Sequence, residues 1–276
     1  MNFPDSHRGD CLTRTDPAII TAPTIAMKLL LSLVALLLAV PASAQDAGDG
    51  PYRDLIQGEF AHAEKPLTPE GLPLWLHADR KISNGRELYP LVIVLHGRRN
   101  NVKTDAEFTP QAIATPWAKK DSQRRNPCFV VQPYYPPKGG WEKIPEKLDA
   151  TVAHLMEHLP VDPERVYLMG FSNGAQGTFQ TLARDPKRYA AAITVSGPVD
   201  PKSVVGKIQA PIRAWVGEND NDLNKRKRSV ALAEALKADG LDIEIVVVKG
   251  KGHSCHHVPT GDRKVHEWLF SQRRKK

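Results

Sequence analysis

The sequence is poor in cysteine, with three in 276 residues. Cys11 lies in a polar leader, which leaves Cys128 and Cys255 in the body of the chain. The count permits a bridge between these two, but Cys128 lies at the start of a predicted strand, whereas Cys255 lies two residues after His253, which is expected near the other end of that strand. A strand of about six residues is roughly 20 Å long, far beyond the reach of a disulfide. Geometry therefore argues against a bridge.

The sequence also lacks an apolar segment long enough to cross a bilayer comfortably. The run Leu29–Val40 is apolar except for Ser32, follows Met27-Lys28 and is succeeded by Pro-Ala-Ser-Ala at residues 41–44. A charged start, a short apolar region and an A-x-A ending are typical of a signal peptide. We therefore expect residues 27–44 to be removed, the mature chain to be exported to the periplasm or the medium, and no stable membrane insertion.

Internal repeats and low-complexity tracts are absent as well. Residues 1–26 are mostly polar and precede a plausible start at Met27, so we interpret them as a mis-assigned leader and leave them out of the fold. The chain is 41% hydrophobic and 25% charged. This composition predicts a single globular domain over residues 45–276.

The net charge of +7 comes partly from two basic clusters, residues 225–228 and residues 273–276. Such clusters can bind nucleic acid or anionic surfaces. Neither is accompanied by a nucleic-acid-binding motif or by interleaved aromatic residues. We therefore interpret both as solvated surface and expect no nucleic-acid partner.

Short apolar runs alternate with helical patterns from about residue 70 onward. This alternation is typical of an α/β protein whose mainly parallel sheet has helices on both faces. The predicted strands are Pro73–Ala78, Leu91–Leu95, Cys128–Gln132, Val166–Gly170, Ala191–Val195, Ile212–Val216 and Ile243–Val248. Helical spacing predicts helices around residues 148–159, 175–183, 230–238 and 265–269. Residues 98–126 lack strand character and are expected to form a helix and loops near the site.

The fourth of these strands runs directly into a G-x-S-x-G motif centred on Ser172, and a helical pattern follows. This is the context of a nucleophile elbow, in which a strained turn projects the serine hydroxyl away from the sheet. The turn leaves room only for very small side chains two positions away, and Gly170 and Gly174 stand there. The helix beginning near Asn173 directs its N–H groups at the developing negative charge. Ser172 is the predicted nucleophile.

A second motif follows the strand Leu91–Leu95, which ends in His96-Gly97-Arg98. In α/β-hydrolases the loop after this strand supplies one backbone N–H of the oxyanion hole, and the residue after the nucleophile supplies the other. The candidates are the amides of Arg98 and Asn173. We interpret His96 as a structural imidazole that braces this loop, because the catalytic base is expected after the acid in the chain.

Acidic residues follow the strand Ile212–Val216, at the edge of the sheet where catalytic groups gather in open α/β folds. Asp220 is the favoured acid because of its spacing after Gly217. Asp222, two residues further on, and Asp200, which follows the preceding strand, remain alternatives.

The last strand leads into Lys-Gly-Lys-Gly-His, whose glycines let His253 swing over the serine. A base must come within about 2.6–3.2 Å of the hydroxyl that it deprotonates. His256 and His257 lie close in sequence and remain alternatives. No second pair of ligands has zinc-like spacing, so we expect neither a metal nor an organic cofactor.

Four segments, residues 95–97, 162–174, 217–220 and 252–253, together resemble secreted esterases of the α/β-hydrolase superfamily. The chain is most similar to the polyhydroxybutyrate depolymerase and feruloyl esterase-like group, and to the phospholipase/carboxylesterase and predicted-peptidase families. The resemblance extends from about Leu74 to the C-terminus. It implies the α/β-hydrolase fold and a triad of Ser172, Asp220 and His253, but it does not specify a substrate.

Two departures from this resemblance stand out. Ala175 replaces a second glycine after the elbow, which is a minor change. Arg98 and Arg99 follow His-Gly where many members have small residues. These two arginines are candidate substrate-binding residues that could narrow the acyl pocket or attract anionic substrates.

The order Ser172, Asp220, His253 is the order that α/β-hydrolases use. It predicts hydrolysis of a small-molecule or polymeric carboxylic ester through an acyl-enzyme. One alternative is a serine peptidase or amidase, because the same constellation cleaves amides. Another is a non-catalytic binding protein that keeps the fold.

Overall fold

The computed structural model describes residues 52–63, 65–82, 87–98, 109–135, 139–221 and 224–274. The strands in these ranges are β1 (Phe60–Ala63), β2 (Leu74–His77), β3 (Tyr89–Leu95), β4 (Phe129–Pro133), β5 (Val161–Phe171), β6 (Ala191–Val195), β7 (Ile212–Gly217) and β8 (Ile243–Val248). They form one sheet in the order β1-β2-β4-β3-β5-β6-β7-β8. β2 runs antiparallel to both of its neighbours, and the strands from β4 through β3 to β8 are mutually parallel.

Described α-helices lie between most successive parallel strands, and two more follow β8. They are α1 (Thr115–Ala118), α2 (Lys120–Arg125), α3 (Pro145–His158), α4 (Asn173–Arg184), α5 (Lys225–Ala238), α6 (His257–Gly261) and α7 (Arg263–Ser271). Short 3₁₀ turns lie at Arg53–Leu55, Arg80–Ile82, Trp141–Lys143 and Pro201–Ser203. None of the described helices is both long and apolar enough to cross a membrane.

The sheet is buried on both faces, which explains why its central strands are nearly continuous apolar runs. Along β3, Leu91 and Ile93 pack into a cluster that includes side chains of α3, α4 and α5. Val92 and Val94 point the other way, into a cluster that includes Trp117 of α1 and Leu269 of α7. Side chains alternate along a strand, so one strand supplies both layers of core.

The predicted fold class is confirmed, and each of the seven predicted strands is present. Six of them have bounds within two residues of the prediction, whereas β5 begins at Val161, five residues earlier than predicted. β1 was not predicted, because its four residues, Phe-Ala-His-Ala, are too few and too weakly apolar to give a clear strand pattern. The third predicted helix, residues 230–238, begins five residues earlier at Lys225. The basic cluster 225–228 is therefore the first turn of a helix.

Within the region 98–126, for which the sequence predicts a helix and loops, the structure describes Arg98 and residues 109–126. The predicted helix is present there as two short helices, α1 and α2. Trp117 of α1 stacks on His266 of α7 with ring centroids 4.0 Å apart. Gln111 lies nearer the site, since its Oε1 accepts a hydrogen bond of 3.4 Å from the Gly97 N–H.

Cys128 and Cys255 are both buried and unpaired, as the geometric argument predicted. Burial raises the pKa of the Cys128 thiol to about 12 and also raises the pKa of Cys255. The predicted leader, residues 1–26, and the predicted signal peptide, residues 27–44, lie outside the described residues.

Candidate active site

Ser172 lies at the turn between β5 and α4, with φ 56° and ψ −117°. A residue with a side chain adopts this conformation only under strain, which the surrounding structure must hold. Ser172 N donates a hydrogen bond of 2.8 Å to the Val195 carbonyl at the end of β6, and Gln176 N donates one of 3.2 Å to the Ser172 carbonyl. The turn is thus tied to the neighbouring strand and to the first turn of the following helix.

The glycines on either side of Ser172 are required by close backbone approach. A Cβ atom at Gly170 would overlap the Gly174 carbonyl, and one at Gly174 would overlap the Leu95 carbonyl. Those overlaps involve backbone atoms that cannot swing away, so any larger residue would move the turn. The G-x-S-x-G spacing therefore has the steric cause that the sequence predicted.

Two hydrogen bonds join the three residues predicted as a triad. His253 Nε2 lies 3.0 Å from Ser172 Oγ, and His253 Nδ1 lies 3.0 Å from Asp220 Oδ2. The Asp220 side chain is fully buried, whereas the imidazole is 33% exposed. Asp220 Oδ1 is buried and has no hydrogen-bond partner among the described residues. Among the described side chains, His253 is therefore the hydrogen-bond partner of this buried carboxylate.

The loops after β7 and β8 bring the acid and the imidazole together. A Cβ atom at Gly217 would overlap the Gly252 carbonyl, so the two loops touch through backbone. Asn219 N donates a hydrogen bond of 2.8 Å to the Lys251 carbonyl. These contacts fix His253 above Asp220 at the carboxyl edge of the sheet.

The alternative acids and imidazoles are placed elsewhere or not described. Asp200 is exposed and accepts a hydrogen bond of 3.0 Å from Lys202 N, which caps a 3₁₀ turn. Asp222 lies outside the described residues. His256 packs on Phe171 with centroids 4.9 Å apart, and burial lowers its pKa. His257 is exposed at the start of α6.

The predicted oxyanion loop lies against the elbow. A side chain at Gly97 would come within 3.3 Å of Ser172 Cβ, so the backbone after β3 runs directly beside the nucleophile. Asn173 is the first residue of α4, and the N–H of a first helical residue has no intrahelical acceptor. Arg98 follows Gly97 and is exposed, whereas Arg99 lies outside the described residues.

His96 is fully buried and bonded to backbone on both sides. Its Nδ1 donates a hydrogen bond of 2.6 Å to the Gly97 carbonyl, and its Nε2 accepts one of 3.4 Å from Tyr135 N. Trp141 Nε1 donates a hydrogen bond of 3.0 Å to the His96 carbonyl. The imidazole thus ties the loop after β3 to the loop after β4, the bracing position that the sequence suggested.

Tyr135 is a site residue that sequence reasoning missed. Its ring is buried and stacks on His96 with centroids 4.5 Å apart, and Asn173 Nδ2 donates to its hydroxyl at 3.5 Å. Burial raises the pKa of this phenol, and the Arg98 charge opposes the rise. The available signal was its position just after β4, because the carboxyl end of that strand lies beside His-Gly.

Ser196 was missed as well. It is buried at the end of β6 with φ 55°, and its Oγ lies 3.7 Å from Cys255 Sγ. Cys255 N in turn donates a hydrogen bond of 3.0 Å to the His253 carbonyl. This pair supports the His253 loop from the side of the sheet.

The sheet order, the elbow and the hydrogen-bonded Ser, His and Asp define the α/β-hydrolase fold. The family model of the Dienelactone hydrolase family matches residues 135–262, which contain Ser172, Asp220 and His253. A Bradyrhizobium sp protein named "Probable 2-oxo-3-(5-oxofuran-2-ylidene)propanoate lactonase" is 26% identical over 125 residues, which are 41% of this chain and 49% of that protein. The match therefore spans about half of the relative.

Solved structures resemble the chain over a larger part of its length. A thermostable esterase superposes with a TM-score of 0.68 at 26% identity, covering 78% of this chain and 63% of that one. Dipeptidyl peptidase 4 of Porphyromonas gingivalis superposes with a TM-score of 0.59 at 18% identity, covering 78% of this chain and 35% of that one. The second likeness shows the fold alone. Together these findings support a hydrolase of the α/β-hydrolase fold.

Proposed function

We propose that the chain is an exported serine esterase that hydrolyses carboxylic esters through an acyl-enzyme. The observation that carries the proposal is the hydrogen-bonded series from Asp220 through His253 to Ser172, with 3.0 Å at each step. The distance between His253 Nε2 and Ser172 Oγ falls within the range that proton transfer requires, and the distance between His253 Nδ1 and Asp220 Oδ2 is that of an orienting hydrogen bond. The matches to an esterase and a lactonase agree with cleavage of an ester bond.

In the first half of the reaction, His253 Nε2 takes the Ser172 proton as Oγ attacks the ester carbonyl. The backbone amides of Arg98 and Asn173 stabilise the tetrahedral oxyanion. His253 then protonates the departing alcohol, and the same imidazole activates water to release the acid. Asp220 holds the imidazole tautomer and stabilises the imidazolium. The ring nitrogens of His253 face the correct partners for these roles.

A fluorophosphonate probe tests the nucleophile directly, because it labels an activated serine covalently. Labelling of the wild-type chain should map to Ser172. Ser172→Ala should lose both labelling and ester hydrolysis while unfolding at the same temperature, and Ser203→Ala, in an exposed turn, should keep both. Activity of Ser172→Ala within about tenfold of the parent would exclude Ser172 as nucleophile.

The bond cleaved is tested with matched chromogenic substrates. We expect p-nitrophenyl esters to be hydrolysed and aminoacyl p-nitroanilides to be left intact. Faster anilide cleavage would show a peptidase, and no labelling or turnover of either would show a binding protein. Export is tested separately, because the mature protein should begin at Gln45 when its N-terminus is sequenced from a secreting host.

A further inference from the structure

A row of basic side chains lies beside the candidate active site. We call it the basic ridge; it consists of Lys225, Arg226, Lys227 and Arg228 in the first turn of α5 together with Lys249 and Lys251 after β8. The sequence suggested a solvated surface for residues 225–228, without indicating where that surface lies.

The ridge is built on the two loops that carry Asp220 and His253. Arg226 N donates a hydrogen bond of 3.1 Å to the Asp220 carbonyl. Gly250 N, between the two lysines after β8, donates one of 2.8 Å to Glu218 Oε2. The Lys251 carbonyl is also the acceptor for Asn219 N. The ridge therefore stands at the carboxyl edge of the sheet, next to the residues proposed to act on the ester.

Five of the six basic side chains of the ridge are exposed. Arg226, Lys227, Arg228, Lys249 and Lys251 are exposed, and none of them makes an ion pair with another described residue. Arg226 donates to a carbonyl, that of Glu218, at 3.2 Å. The sequence of these loops supplies three carboxylates at residues 218, 220 and 222 against the six basic side chains. A net positive charge therefore remains.

The first turn of α5 is also an unfavourable place for this charge. A helix N-terminus carries a partial positive charge that favours acidic side chains and disfavours basic ones. Here four basic residues follow one another and the first turn contains no acid. Like charges one turn apart repel as well. An anion bound along the ridge would relieve both kinds of repulsion.

The separation between basic side chains along the carboxyl edge of the sheet indicates an elongated ligand. Arg98 is exposed at the end of β3, and the turn bearing Lys249 and Lys251 follows β8, four strand spacings away in the order β3-β5-β6-β7-β8. Neighbouring strands are about 4.8 Å apart, so the two ends are separated by roughly 19 Å. Ser172, at the end of β5, lies between them. A single small anion cannot span this distance, but a polymer can.

The ligand class follows from chemistry. Single-stranded nucleic acids are held by stacking on exposed aromatic rings as well as by charge, and every described Phe, Tyr or Trp is buried or half-buried. A partly esterified polyuronate combines free carboxylates with carboxylic esters on one chain. We propose that the basic ridge and Arg98 bind such a polymer and present its esters to Ser172. This inference rests on the proposed esterase function.

Hydrolysis of a methyl ester on this polymer needs only water as a second substrate. Ser172 Oγ bonds to the carbonyl carbon of a methyl uronate, the carbon–methoxy bond breaks, and methanol leaves with the proton from His253. Water then displaces Oγ, giving a free carboxylate, a proton and regenerated Ser172. Each turnover adds one negative charge to the polymer.

Binding is tested in the Ser172→Ala chain, so that turnover does not interfere. Polygalacturonate should bind more tightly than neutral galactan or poly(dT) at equal chain length, and its affinity should fall as NaCl rises from about 50 to about 300 mM. Lys227→Glu/Arg228→Glu should weaken polygalacturonate binding at least about tenfold. These substitutions place acids at a helix N-terminus, which favours folding. The control pair Lys147→Glu/Lys237→Glu makes the same change in net charge on exposed helix positions away from the ridge and should change affinity less than about twofold.

Equal weakening by the two pairs, equal or tighter binding of poly(dT), or no binding of polygalacturonate would overturn the inference. Its failure is separable from failure of the proposed function. If wild-type protein hydrolyses p-nitrophenyl esters while the Ser172→Ala chain binds no polyuronate, the esterase proposal stands and the polyuronate proposal is excluded. If wild-type protein binds polyuronate through the ridge but is not labelled by the fluorophosphonate and hydrolyses no ester, the binding surface is supported and the esterase proposal is excluded.

Discussion

His253 Nε2 lies 3.0 Å from Ser172 Oγ across 81 positions of the chain. The contact exists because β5 and β8 are parallel strands of one sheet, so that the loops after them emerge at the same edge. Between them, β7 delivers Asp220 to the other nitrogen of the same imidazole. Each element of the proposed mechanism thus depends on sheet order as much as on residue identity.

The acid can be tested by a comparison of two asparagine substitutions. Asp220→Asn should lower kcat on the order of 10⁴-fold, because the amide no longer fixes the imidazole tautomer. Asp222→Asn should leave kcat within about threefold of the parent. Steady-state kinetics with one p-nitrophenyl ester measures both. A larger loss in Asp222→Asn would move the acid by two residues.

Tyr135 should act as a positioning residue for the oxyanion hole. Tyr135→Phe removes the hydroxyl that accepts from Asn173 Nδ2, which loosens the residue whose amide is a proposed oxyanion donor. We expect kcat to fall about tenfold with little change in KM, because the lost contact matters most when charge develops.

The control for this experiment is Tyr189→Phe. Tyr189 is also buried, but its hydroxyl has no hydrogen-bond partner among the described residues. That variant should keep kcat. Equal rates in Tyr135→Phe and wild type would show that the phenol serves packing alone.

Arg98 and Arg99 should favour substrates that carry a carboxylate. Arginine pairs with carboxylates bidentately and in fixed orientation, and Arg98 is exposed next to the proposed oxyanion loop. Replacing both by Ala should raise KM for an ester with a free carboxylate much more than for its methyl-capped analogue. The difference should shrink at high salt. Equal effects on the two esters would show that these arginines do not select for charge.

Stability should decrease in mild acid. Burial lowers the pKa of His266, whose Nε2 donates a hydrogen bond of 2.8 Å to the Thr260 carbonyl. A histidine with a lowered folded pKa takes up protons more readily when unfolded, so the free energy of unfolding falls as the pH drops below about 6.5. We expect Tm to decrease between about pH 7.5 and about pH 5.5.

The variant His266→Phe isolates this contribution. It keeps an aromatic ring against Trp117 and removes the titrating group, so Tm should depend less steeply on pH than in the parent. The lost hydrogen bond would lower Tm at every pH without changing that slope. Parallel Tm curves for the two proteins would assign the acid sensitivity to other groups.

Prediction from sequence succeeded where local pattern and local sterics coincide. The elbow is the clearest case, because a Cβ atom at Gly170 would overlap the Gly174 carbonyl within the same turn. The requirement for Gly174 comes from the neighbouring strand β3, yet it falls at a fixed spacing from the serine. The central strands were equally visible, since burial on both faces demands continuous apolar runs. β1 and the early start of α5 were missed because short or strongly basic segments carry little hydrophobic periodicity.

The sequence by itself determined the α/β fold class, the candidate nucleophile and the loop that carries the base. Only the tertiary structure brought Asp220 rather than Asp200 to His253, Tyr135 to Asn173, and the basic residues 225–228 to the catalytic edge. The residues in each of the first two contacts follow different strands. A hydrophobic pattern indicates only which face of its own helix or strand is buried. The partners across the sheet are set by strand order and loop packing, which no local pattern encodes.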